Sequence, residues 1–85
     1  MIDSKFLKNM VDSVNATVFV RDNYTIGVCY DETIMDSTIN AYNADKPDDE
    51  ITVYFYEVVD KPSQIFTKRF FDGMAEKLNK RIENA

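Results

Sequence analysis

Between residues 66 and 82 an apolar side chain recurs at every fourth position: Phe66, Phe70, Met74, Leu78 and Ile82, flanked by Phe71 and Ala75. A step of four keeps side chains on one face of a helix. The pattern predicts a long amphipathic helix over residues 62–83, capped by Asp60 or Ser63, with Pro62 in its first turn. Gly73 falls in its middle, where it costs about 1 kcal/mol relative to Ala. One apolar stripe must be buried against something, so the rest of the chain has to supply a matching surface.

That surface reads as β-structure. Residues 51–59, I-T-V-Y-F-Y-E-V-V, alternate, with Ile51, Val53 and Phe55 pointing one way and Thr52, Tyr54 and Tyr56 the other. Residues 16–21 and 24–30 form two further β-rich runs, joined at Asp22-Asn23 by a two-residue hairpin turn. One expected face of this hairpin holds Val18, Val20, Ile26 and Val28; the other holds Thr17, Phe19, Thr25, Gly27 and Cys29. Residues 37–43 are read as a strand with Ile39 and Ala41 on one face. The alternative is a short helix lined by Ile34, Met35, Ile39 and Tyr42, but Asp36, Ser37, Thr38 and Asn40 are poor helix formers. Residues 44–50 are a loop on either reading. Phe6, Leu7, Met10, Val11 and Val14 share a helical face and place a first helix over residues 4–15, capped by Asp3 or Ser4 and ended by Asn15.

The expected fold is α+β: one domain over residues 1–85, with a small antiparallel sheet of three or four strands between an N-terminal and a C-terminal helix. Two readings stay open for Phe19, Tyr54 and Tyr56. If both helices lie on the opposite face, these aromatics form an exposed interaction patch; if the helices sandwich the sheet, or residues 31–44 cover it, they are core.

The formal net charge is −5, and it is unevenly placed. Residues 1–30 balance to zero and residues 51–85 to +1. Residues 31–50 hold Asp31, Glu32, Asp36, Asp45, Asp48, Asp49 and Glu50 against Lys46 alone, which gives −6. Fields of one sign steer association with surfaces of the other sign. The bland alternative is a solvated loop. The last helix carries Lys68, Arg69, Lys77, Lys80 and Arg81, and dipole compensation and i,i+4 pairing account for most of them.

Several chemistries find no residues here. There is no histidine, which removes the commonest general base and metal ligand. A single cysteine, Cys29, builds neither a zinc site nor an internal disulfide; within a strand, a buried inert thiol is the usual case. No Gly-rich phosphate loop is present, and the acids at 45–50 lack the spacing of a calcium loop. No cofactor, metal or catalytic activity is therefore expected. No signal peptide or membrane span is evident, and with the lone cysteine this points to the cytoplasm.

The functional expectation is a non-enzymatic binding protein: a small acidic inhibitor or modulator that occupies a basic, nucleic-acid-binding type of site on a protein partner. Asp31, Glu32, Asp36, Asp45, Asp48, Asp49 and Glu50, with Tyr54 and Tyr56, are the residues expected to carry it. The Ile, Asn, Lys, Tyr, Phe and Asp bias is what AT-rich coding gives and fits a phage-encoded antagonist acting in a host cytoplasm. The first rival is a homodimeric accessory protein associating through the aromatic sheet face. The second is a nucleic-acid binder using the basic C-terminal helix; direct nucleic-acid binding is the less favoured.

Overall fold

The computed structural model describes residues 2–12, 18–21 and 23–84. The fold is α+β: α1 (Ser4–Asp12), β1 (Val18–Arg21), β2 (Tyr24–Asp31), β3 (Asp36–Asn43), β4 (Ile51–Tyr54) and α2 (Lys68–Glu83). All neighbouring strands pair antiparallel in the order β1-β2-β3-β4, and the 37–43 segment is a strand as expected.

Both helices lie on one face of this sheet. Ile26, Ile39, Ala41, Ile51 and Val53 point toward them and are buried together with Leu7, Met10, Phe70, Phe71, Met74, Ala75 and Leu78. Asp3 caps α1, its Oδ1 accepting from the Phe6 N–H at 2.7 Å. The Asn79 side chain of α2 clips the start of the chain, accepting from Ile2 N (3.1 Å) and donating to Ile2 O (2.5 Å). The expected end of α1 at Asn15, Thr17 in β1, and Asp22 of the hairpin turn lie outside the described residues. Asn23 has a φ of 69°, which Asn tolerates in a tight turn.

Three expectations need correction. The hairpin faces differ from the expected ones. A two-residue turn pairs Arg21 with Tyr24, and therefore Phe19 with Ile26 and Val20 with Thr25. Phe19 thus belongs to the helix side, where its ring meets Phe6 edge-on at 6.1 Å, while Val20 stands on the opposite face, 72% exposed. Val28 keeps its expected face, opposite Ile39, but is exposed.

The last strand is also shorter than its apolar run. After Tyr54 the Phe55 carbonyl accepts from Val58 N (3.0 Å) and Val59 N (3.2 Å), and the Glu57 carboxylate takes the Tyr54 N–H at 2.8 Å. These bonds coil Phe55–Glu57 into a 3-10 turn.

Finally, α2 starts later than Pro62 suggests. Pro62 opens a separate 3-10 turn ending at Gln64, and Phe66 then takes a φ of 68°, which a helix does not allow. The cap is Thr67, whose hydroxyl accepts from Phe70 N at 3.2 Å.

Gly73 is explained by close approach. A Cβ there would stand 2.7 Å from Val58 Cγ1. Gly73→Ala gains about 1 kcal/mol of helix propensity but incurs an overpacking cost of about 1–3 kcal/mol. A net loss of about 1 kcal/mol is expected in urea melts. It should vanish when Gly73→Ala is made in a Val58→Ala background and compared with Val58→Ala alone, since that truncation of a partly buried side chain has its own cost. Equal loss from Gly73→Ala in both backgrounds would mean that the contact is not the cause.

Candidate functional site

Because both helices lie on one side, no described element covers the other face of the sheet. Its side chains are Val20 from β1; Thr25, Cys29 and Asp31 from β2; Asp36, Thr38, Asn40 and Tyr42 from β3; and Thr52 and Tyr54 from β4. Among the described residues this face carries acids and no base; Arg21 turns to the helix side, over the Phe6 ring at 5.1 Å.

The centre of the face is fixed by a hydrogen-bond relay. The Thr38 hydroxyl donates to Asn40 Oδ1 at 2.6 Å, and Asn40 Nδ2 donates to Glu50 Oε1 at 2.9 Å. Thr38 is only 4% exposed, so its hydroxyl needs such a partner, and the relay draws the Glu50 carboxylate from its loop onto the sheet.

At the β2–β3 end, Asp31 Oδ1 accepts from Thr33 N (2.9 Å) and Thr33 Oγ1 (2.5 Å), closing the turn. These bonds, with a further one from the Tyr54 hydroxyl, hold the Asp31 carboxyl below the usual aspartate range. Desolvation, and then the Asp31 charge, push the Tyr54 phenol up, so it stays a neutral donor. Asp36 Oδ2 accepts from Tyr56 N at 2.9 Å, and the Tyr56 ring stacks on Tyr54 with centroids 5.3 Å apart. Cys29, Asp31, Glu32, Thr38, Asn40 and Tyr54 bound an open groove of about 290 Å3.

The residues expected from sequence are thus divided. Asp31, Glu32, Asp36, Tyr54 and Tyr56 gather at one end of β3, and Glu50 joins them over Asn40. Asp45, Asp48 and Asp49 lie in the loop beyond the other end of β3, a strand about 23 Å long at its usual rise. The side chains of Glu32, Asp45, Asp48 and Asp49 make no hydrogen bond or ion pair among the described residues. Those residues also contain no cluster of three or more metal-ligating side chains.

Sequence reasoning missed Thr38, Asn40 and Tyr42. The alternation that put Ile39 and Ala41 on the core side of β3 assigns these three to the other face. Cys29 is exposed on this same face, against the expectation of a buried thiol.

The basic residues of α2 are largely engaged. Lys68 pairs with Asp72 (2.7 Å), Lys80 with Glu76 (3.1 Å) and Arg81 with Glu57. No described helix is long and apolar enough to cross a membrane. Searches against protein-family models, curated proteins and solved structures return no match.

Proposed function

We propose that this chain is a non-enzymatic binding protein whose uncovered, acidic, tyrosine-bearing sheet face docks on a basic surface of a protein partner, as an inhibitor or modulator of a nucleic-acid-binding type of site. The observation that supports it most is the composition of that face: Asp31, Asp36 and Glu50 beside Tyr42, Tyr54 and Tyr56, with no described Lys or Arg among them. Tyrosines supply large, stiff contact area that tolerates both water and burial. Carboxylates already held by Thr33, Asn40 and Tyr56 N–H lose little freedom on docking.

The rival homodimer through this face is weakened by symmetry. An isologous contact sets the same patch against itself, so the acids would meet acids. A basic partner removes that repulsion and strengthens as salt is lowered.

The test is capture from the source cell with tagged protein, followed by titration of the captured partner at low and high salt. Glu32→Lys/Glu50→Lys should weaken binding about tenfold or more and flatten its salt dependence, because two reversed charges face a basic surface. Nucleic acid should compete for the same site on the partner. The reading fails if the double reversal leaves affinity and salt dependence unchanged. A salt-insensitive dimer that Tyr54→Asp dissociates would favour the homodimer instead.

A further inference from the structure

The helical layer, on the opposite side from the acidic face, holds a second concave site. Phe66 is the odd residue there. Its φ of 68° lies in the left-handed region that bulky side chains rarely adopt. The residue remains 55% exposed although its ring stacks on Phe71 with centroids 6.2 Å apart. Strain of this kind persists only where the surroundings impose it, and it tends to gather at ligand sites. Here it turns the chain into α2 and leaves the Phe66 ring as one wall of a cavity of about 300 Å3, with Phe71 beside it and the first turns of α1 opposite.

The rim of this cavity is cationic on a chain whose net charge is −5. It carries Lys5, Lys8 and Lys68 against one acid, Asp72. Asp72 is already answered: the Lys68 ammonium, and then the Ser4 hydroxyl, hold its carboxyl below the usual range. Lys8 pairs with Asp12 at 2.7 Å, and Lys5 has no ion-pair partner among the described residues. The Lys8 pair is an exposed i,i+4 contact, which is weak and yields readily to a ligand. The Lys68 ammonium has three donors, so it can meet a ligand while still holding Asp72. The cavity volume is at the small end of ligand pockets, which are typically lined by apolar and aromatic groups with a few polar ones fixing orientation.

We propose that this cavity binds a small amphiphilic carboxylate. Its aromatic or branched aliphatic body lies against Phe66 and Phe71, and its carboxylate is met by Lys5 with Lys8 or Lys68. The site is independent of the sheet-face reading, since the two surfaces share no residue.

The probes are 4-phenylbutyrate and its neutral amide, titrated into the 15N-labelled full chain. The acid should give saturable amide shifts centred on Lys5, Lys8, Phe66 and Phe71, with the amide binding about tenfold more weakly. Lys5→Gln/Lys68→Gln should lower affinity for the acid by about threefold to tenfold while the spectrum stays folded, since both side chains are on the surface. Phe66→Asn, which tolerates the backbone conformation but removes the ring, should also weaken both probes. Absence of saturable shifts, equal binding of acid and amide, or shifts centred on Tyr42 and Tyr54 would overturn the proposal.

Discussion

Phe70→Ala is expected to remove about 3–5 kcal/mol of stability, the usual cost of truncating a fully buried aromatic ring. Phe70 is 0% exposed and sits at the junction of the core. Its ring meets Phe55 at 4.8 Å, Phe71 at 5.3 Å and Phe66 at 5.7 Å, all near edge-to-face. Those contacts join the first turn of α2 to the chain leaving β4, so a cavity there cannot close by moving one side chain. A chain of 85 residues has a total stability on the order of 4–13 kcal/mol, so the variant loses a large fraction of it. Its melting temperature should fall by about 15–30 °C, and its urea midpoint should drop with little change in slope. A loss below about 1 kcal/mol would mean that the ring is not enclosed as described.

Arg81→Ala should be the most costly change of a charged residue, at about 2 kcal/mol. Arg81 Nη1 donates to the Thr52 carbonyl at 2.5 Å, and both Nη atoms bond the Glu57 carboxylate. Glu57 in turn accepts the Tyr54 N–H. Thr52 and Tyr54 pair with β3 through side-by-side positions that leave these backbone groups on the free edge of β4. The ion pair therefore occupies the hydrogen-bonding positions that another strand would use. The estimate is well below that for a buried pair because the Arg81 side chain is 39% exposed.

The same variant carries a pH signature. The Arg81 hydrogen bond, more than any other cause, holds the Glu57 carboxyl below its ordinary value of 4.5. A carboxylate with a lowered folded-state pKa adds stability that is complete above the unfolded value and is lost as pH falls through the folded one. Wild type should therefore lose more stability than Arg81→Ala between neutral pH and about pH 3. Parallel pH profiles from urea melts would show that the pair does not supply this stability. Increased self-association of the variant by light scattering would report the opened edge.

The two described helices and β1, β2 and β4 were legible because each carries a period that one kind of backbone satisfies, whereas β3 also admitted a helix and was decided by the poor helix formers Asp36, Ser37, Thr38 and Asn40. The step of four from Phe70 to Ile82 and the alternation of Ile51 with Val53 are burial patterns, and burial is what holds these elements. The hairpin faces differ from the apolar pattern because Val18, Val20, Ile26 and Val28 look alike, whereas the pairing of Arg21 with Tyr24 makes odd positions face even ones. Apolar character alone could not settle the phase; turn length did. The end of β4 and the start of α2 depend on side chains returning to backbone groups: Glu57 to Tyr54, and Thr67 to Phe70. Those bonds are optional in sequence and become fixed only with tertiary packing.

The candidate site was half legible for a related reason. Charge density marked residues 31–50, but a strand in their middle carries the two acidic ends apart. What returns Glu50 to the face is Asn40, a contact across ten residues that no local pattern announces.

The clip between Asn79 and Ile2 closes a contact 77 residues apart. A helix of nine residues such as α1 is too short to persist by itself in water. During synthesis its fastening point leaves the ribosome about 4–15 s after it does, at ordinary elongation rates. Throughout that interval Leu7 and Met10 have no α2 to bury against. The β2–β3–β4 meander, whose pairings are local, can form in the meantime and wait as a half-covered sheet. For those seconds the nascent chain presents apolar surface from both α1 and the inner face of the sheet, and that is when it is most open to chaperone capture or misassociation.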